Sequence, residues 1–255
     1  MSINVPQWIA AEWAAPSNIY AFTTCRRGGV SIAPYDTLNL GAHVGDNPAH
    51  VAQNRRLLTT HATLPEQPRW LNQVHGKCVI DAETISTTTS PPLADASYST
   101  QPRIVCGVLT ADCLPILLCD TAGTWVAAIH AGWRGLAMGV IDATLQRFSK
   151  NHRHELLAWL GPAIGPDHFI VSRDVVSEFD KQGFDINETV FKPLVDSDQI
   201  LGNLYALARQ RLQLLGLLPH HITGGKYCTY QQVDDFYSYR RDKTTGRMAS
   251  LIWRA

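Results

Sequence analysis

The 255-residue chain has no excess of either charge, since 22 Lys and Arg balance 22 Asp and Glu. A nucleic-acid or anionic-membrane partner normally leaves a basic excess, so neither is expected. No C-x-x-C pair occurs among Cys25, Cys78, Cys106, Cys113, Cys119 and Cys228, which excludes a zinc ribbon and a thioredoxin-like motif. Both G-x-G-x-x-G and G-x-x-x-x-G-K-[ST] are missing, so nucleotide-cofactor binding by either route is unsupported. Long apolar runs are missing too: Leu114 to Cys119 is among the longest, far short of the ~18–20 residues that span a bilayer. The opening MSINVPQWIAAEWAAP has no basic stretch and is interrupted by Glu12, which argues against a secretory signal. These absences predict a cytoplasmic enzyme with reduced thiols and no evident protein partner.

What is present suits a globular core, with 45% apolar and 17% charged residues. Arg103 to Thr110 and Pro115 to Asp120 read as short strands split by Ala111-Asp112-Cys113-Leu114, and Trp125 to Ile129 is a further apolar run. Leu136, Val140, Ile141, Thr144, Leu145 and Phe148 then recur at helical spacing and predict one helix. Glu155 to Leu160 reads as another strand, and Asp174 to Gln182 as a helix closed by Gly183. A further helix runs from Leu201 or Asn203 to Leu215, with Gly216 where positive φ is wanted. Interleaved strands and helices predict a mixed α/β (α+β) fold. Thr84 to Leu93, ending in Ser90-Pro91-Pro92, is an exposed loop rather than a domain boundary, so residues 1–255 are read as one domain.

Three segments each place a metal-ligand type at the end of an apolar run: Gln73-Val74-His75-Gly76, Thr110-Ala111-Asp112-Cys113 and Ala128-Ile129-His130-Ala131-Gly132. Two imidazoles and a thiolate suit Zn²⁺ and leave a fourth position open, where bound water has its pKa lowered to about 7. The ligands stand 38 and 17 positions apart, so no local metal motif is formed. Taken singly, Cys113 reads equally as a small core hydrophobe, and His75 and His130 as buried histidines satisfied by backbone. Asp112 could orient a histidine, move a proton or cap a strand end. Arg55 lies on a helix after Asp46-Asn47-Pro48, as an anion ligand or a solvated helix-face residue. Tyr239-Arg240-Arg241-Asp242 with Arg247 reads as an anion reader or a surface ion-pair network. His152-Arg153-His154 and His220-His221 fall in polar stretches and read as solvated loops.

Taken together, GGVS at 28–31, LNLGAHVGDNP at 38–48, NQVHG at 72–76, ADAS at 94–97, LTADCLP at 109–115, AAIHAGWRG at 127–135, GPAIGP at 161–166 and SYRRDKTTGRMASLIW at 238–253 resemble the YfiH family. That family is also called the multicopper polyphenol oxidase or laccase-like family and, more recently, purine nucleoside phosphorylase. The resemblance runs from about residue 20 to 253 with its blocks in order, and departs at Thr24-Cys25-Arg26-Arg27, where one residue is extra. It implies a single-domain layered α/β fold with mixed sheets covered by helices. It also implies a zinc site of His75, Cys113 and His130, with Asp112 catalytic and Asn39 and Arg55 binding substrate. The implied reactions are phosphorolysis of the purine nucleosides adenosine, inosine and methylthioadenosine by phosphate, and deamination of adenosine.

Two other enzyme readings use the same residues. A His₂Cys set also suits a single copper, in keeping with the polyphenol oxidase name. A four-copper laccase centre needs many imidazoles, commonly as H-x-H pairs, and the only such pair is His152-Arg153-His154. Alternatively, Cys113 is the nucleophile of a hydrolase acting on muramyl-peptide cell-wall precursors, with a histidine as its base. A non-enzymatic module with a structural zinc ranks last, because structural sites use four protein ligands and no fourth is evident.

Overall fold

The computed structural model describes residues 5–87, 90–195 and 197–255. The first four residues of the N-terminal stretch and positions 88 and 89 of the loop read at 84–93 lie outside the described residues. In chain order the strands are β1 (Trp8–Ala10), β2 (Ile19–Thr24), β3 (Val79–Asp81), β4 (Ala96–Ser99), β5 (Cys106–Thr110), β6 (Leu114–Asp120), β7 (Val126–Ala131), β8 (Leu156–Leu160), β9 (Ile170–Val171), β10 (Phe191–Pro193), β11 (Ile200–Gly202), β12 (Ile222–Gly224) and β13 (Met248–Arg254). The helices are α1 (Pro48–His61), α2 (Trp133–Ala137), α3 (Val140–Leu145), α4 (Arg173–Lys181), α5 (Leu204–Leu214) and α6 (Tyr239–Asp242). None is long and apolar enough to cross a membrane.

Strands pair into a mixed six-stranded sheet of order β12-β8-β6-β7-β4-β3, an antiparallel four-stranded sheet of order β1-β2-β13-β5, and a small sheet β10-β11-β9. Side-chain alternation explains the layering. On β6, Leu114, Ile116 and Leu118 enter the core shared with α2 to α5, whereas Leu117 and Cys119 enter the core beneath the four-stranded sheet. The same division holds for Leu156, Ala158 and Leu160 against Leu157 and Trp159 on β8. Both faces of these strands are buried, hence their unbroken apolar runs. The outer face of the four-stranded sheet presents Phe22, Leu109, Leu251 and Trp253 to a third core that includes Leu58 of α1. The order of layers is therefore helices, six-stranded sheet, four-stranded sheet, helix. The mixed, layered α/β expectation holds.

Local signals account for several boundaries. Asn47 caps α1, its side chain accepting from the Ala49 amide, and Pro48 opens the helix. Asn203 caps α5 in the same way through the Ala206 amide, and Ile200 to Gly202 form β11, so the helix does not reach back to Leu201. The single helix expected over 136–148 is two, α2 and α3, because Gly139 takes φ 90° between them. Its apolar residues still face one way: Leu136, Val140, Ile141 and Leu145 are fully buried.

Candidate metal centre

The β6–β7 hairpin brings two of the three ligand types together. Leu114 lies opposite Ala131 and Pro115 opposite His130, so Cys113, just ahead of β6, arrives beside the end of β7. Asp112 precedes it at φ 91°, a left-handed turn that ends the alternation of β5 and reorients Cys113. Gly132 follows β7 where no side chain fits, since a Cβ there would lie 2.9 Å from Cys113 Sγ and 3.0 Å from His75 Cδ2.

His75 comes from the loop ahead of β3 and stands at φ 59°. The group holding it is a residue that sequence reasoning passed over. Asp95 is fully buried, and its carboxylate accepts from the amides of His75 at 2.9 Å, Gly76 at 2.7 Å and Val74 at 3.3 Å. The same carboxylate lies 2.8 Å from Nδ1 of His130, which is itself buried. Burial opposes the charge on Asp95, but the His130 ring and these amides hold it below the usual carboxylate range.

The ligand atoms of His75, Cys113 and His130 all lie within 4.8 Å of one another, the only such group among the described residues. Cys113 Sγ is 3.8 Å from His75 Nε2, and the two imidazoles stand edge to face with centroids 4.8 Å apart. A tetrahedral zinc, with bonds of about 2.0–2.3 Å, requires donors roughly 3.3–3.6 Å apart, so this N₂S set has the donors for the ion and would have to draw in by up to about 1 Å to hold it. Burial alone would raise the Cys113 thiol, but His130 and His75 outweigh it and lower it to about 6. Burial works against protonated His130, whereas Cys113 and Asp95 raise it to about 9. Cys113 and His130 therefore each favour the charged form of the other.

His75 and Cys113 open into a cavity of about 220 Å³ walled by Trp133, Ile164, Phe169, Leu204 and Tyr239, with Arg134, Arg240 and Asp112 on its polar side. Asp112 keeps both carboxylate oxygens engaged, with Thr229 Oγ1 and the Arg240 amide each at 2.6 Å, so it fastens the C-terminal segment to the Cys113 turn. Arg241 pairs with Asp242 and donates to three carbonyls, making it structural, while Arg240 faces the cavity. Asn39 and Arg55 do not line this cavity. Asn39 is fully buried and spends its amide on Gly41, Asp46 and the Arg247 amide. Arg55 donates twice to Leu40 O and stacks 4.4 Å over Trp70. Both therefore brace the loop carrying His43, whose imidazole is held below its ordinary value by partial burial and by Arg247, Arg55, His130 and His75.

The chain is similar to known proteins over nearly its whole length. The family described as multi-copper polyphenol oxidoreductase laccase matches residues 20–255. A protein of Escherichia coli K12 named purine nucleoside phosphorylase YfiH is 49% identical over 96% of this chain and 98% of its own length. A Pseudomonas aeruginosa protein also named purine nucleoside phosphorylase is 46% identical over 96% and 98%. Among solved structures, Neisseria meningitidis protein NMB0706 superposes with a TM-score of 0.89 at 45% identity, covering 97% of this chain and 99% of that one. YlmD of Geobacillus stearothermophilus does so with 0.85 at 29% identity, covering 93% and 92%.

Proposed function

Because the chain belongs to the YfiH family, that of the multi-copper polyphenol oxidoreductase laccase model, we propose that it is a zinc-dependent purine nucleoside phosphorylase. Its substrates are adenosine, inosine and methylthioadenosine, each with phosphate, and it also deaminates adenosine. The whole chain acts as a single catalytic domain in the cytoplasm. One observation carries the reading: an N₂S donor set of His75, Cys113 and His130, of which His75 and Cys113 open onto a ring-walled cavity that Arg134 and Arg240 also line. Relatives named for this activity, aligned over nearly their whole length, support it.

When bound, zinc supplies a Lewis acid with an open coordination position. In phosphorolysis a phosphate oxygen attacks ribose C1′ while the bond to the purine breaks, the electron pair leaves with the base, and the base takes up a proton. The walls of Trp133, Ile164, Phe169 and Leu204 exclude water and hold the base, and Tyr239 offers it an aromatic face. Arg240 and Arg134 hold the anion and stabilise charge that develops during transfer. Asp112, on the same wall with Thr229 Oγ1 at 2.6 Å, carries the proton in either reaction. Asn39 and Arg55 serve the substrate through the loop they brace.

The lowered thiol of Cys113 between two imidazoles favours a second reading, a cysteine hydrolase of muramyl-peptide precursors. Metal analysis run beside nucleoside turnover, with and without phosphate, separates the readings. Zinc-loaded protein should release adenine or hypoxanthine only when phosphate is supplied. Full zinc occupancy with no base released would falsify the phosphorylase reading. Amino-acid release from a muramyl precursor after zinc removal favours the thiol route, and O₂ uptake on a phenol after copper loading favours the oxidase.

A further inference from the structure

Asp95 has no part in the reading above, yet it touches both histidines of the donor set. Sheet register brings it there: β4 and β7 run antiparallel with Ala96 opposite Ile129, so the residue before β4 meets His130. The His130 amide donates to Asp95 O at 2.7 Å, and the His130 ring meets the Asp95 carboxylate at 2.8 Å. The two residues are therefore bound through backbone and side chain at once.

An ionised carboxylate only accepts, so Nδ1 of His130 must donate, and its Nε2 keeps a lone pair for a metal. On its other side the carboxylate sits inside the turn formed by the amides of Val74, His75 and Gly76. His75 belongs to no strand, and a non-glycine residue at φ 59° persists only when its surroundings over-determine it. Three amides converging on one buried carboxylate supply that constraint. The same group places a negative charge against the donor set, which offsets the field of a bound dication.

We propose that Asp95 is the positioning residue of this centre: a single carboxylate that fixes the tautomer of His130 through its ring and the pose of His75 through its backbone. This rests on the reading of His75, Cys113 and His130 as metal ligands. Asp95 acts through the two histidines, in the manner of the outer partners that orient ligating imidazoles elsewhere.

The test is zinc affinity, measured by chelator competition on the wild type and on Asp95→Asn. Asparagine can still accept from Nδ1, but its amide group then faces the donors of residues 74 and 76. Zinc should bind about 10–100-fold more weakly, with near-ultraviolet circular dichroism showing the variant folded. A variant that is less heat-stable yet binds zinc as tightly as wild type has lost only a structural contact, and the inference falls. Wild-type protein that takes up no zinc removes the metal reading and this inference together, which distinguishes the two failures. Should the variant not fold, long-range ¹H–¹⁵N spectra of zinc-loaded wild type decide. Nδ1 protonated with Nε2 on the metal supports the assignment, and the reverse overturns it.

Discussion

At one end of the β6–β7 hairpin stand Cys119 and Asp120; at the other stand Cys113, His130 and, from just ahead of β4, Asp95. Both ends hold a cysteine and a buried aspartate, and the two pairs behave in opposite ways. Cys119 is fully buried, and burial together with Asp120 pushes its thiol up. Asp120 is satisfied by its own turn, accepting from Thr124 N at 2.7 Å, Thr124 Oγ1 at 2.6 Å and Trp125 N at 2.9 Å. Asp95 instead draws its donors from 19 to 35 positions away, and Cys113 faces imidazoles from two further segments. Local donors make a turn. Donors gathered from separate segments make a site, because the fold must be complete before the charges are compensated.

The most severe way to break this comparison is to truncate each thiol. Cys113→Ala should abolish nucleoside phosphorolysis and weaken zinc by more than the roughly 10–100-fold that loss of an outer partner costs. Cys119→Ala should leave both intact and lower unfolding free energy by about 1–2 kcal/mol, the scale of a small buried deletion. Metal analysis, turnover and urea unfolding on the two variants read this directly. Equal effects on zinc would mean that the hairpin ends do not differ as described.

Titration sharpens the contrast without mutation. In metal-free protein Cys113 is lowered to about 6, so its thiolate persists as pH falls from 8 and is lost only as pH passes about 6. Cys106, fully buried, is raised to about 12 and stays protonated throughout that range. Alkylation by iodoacetamide, followed by peptide mass mapping, should therefore modify Cys113 at pH 7 and spare Cys106. Its rate should fall to half near pH 6, and zinc should protect it. A midpoint near 8.5, the free-cysteine value, contradicts the assigned electrostatics.

The parts legible in sequence are those whose causes are local. Asn47-Pro48 before α1, Asn203 and Gly216 around α5, and the apolar runs of β6, β7 and β8 each carry their signal within a few residues. Gly139 was equally visible, but a glycine inside an apolar period does not by itself say that the helix divides. The order of layers was hidden because it depends on pairings such as Ala21 with Ile252, at opposite ends of the chain. The donor set stands out by residue type at the ends of apolar runs, but only the family resemblance raises it above ordinary buried residues, since ligands 38 and 17 positions apart share no local geometry. Asp95 lay within a noted block, ADAS, without standing out. Its one signal was a carboxylate flanked by small apolar residues at a strand start, where burial demands donors from elsewhere. Arg55 shows the converse, a helix-face cation that the local pattern leaves between anion ligand and solvated residue, and that the fold turns onto Leu40 O and Trp70.

The gentlest perturbation tests whether the far end of the hairpin is as self-contained as its donors imply. Asp120→Asn keeps the shape but replaces an acceptor of three bonds with a group that can satisfy only some of them. Leaving a buried donor unpaired costs about 1–3 kcal/mol, so urea unfolding should shift by that amount. Zinc affinity and phosphorolysis should stay within about twofold of wild type, because ΔΔG at distant sites without shared partners adds independently. A larger loss of zinc would show that strain at the Asp120 turn is transmitted along β6 and β7 to Cys113 and His130. The two ends would then be one cooperative unit, and the separation of turn from site would belong to the hydrogen-bond pattern alone.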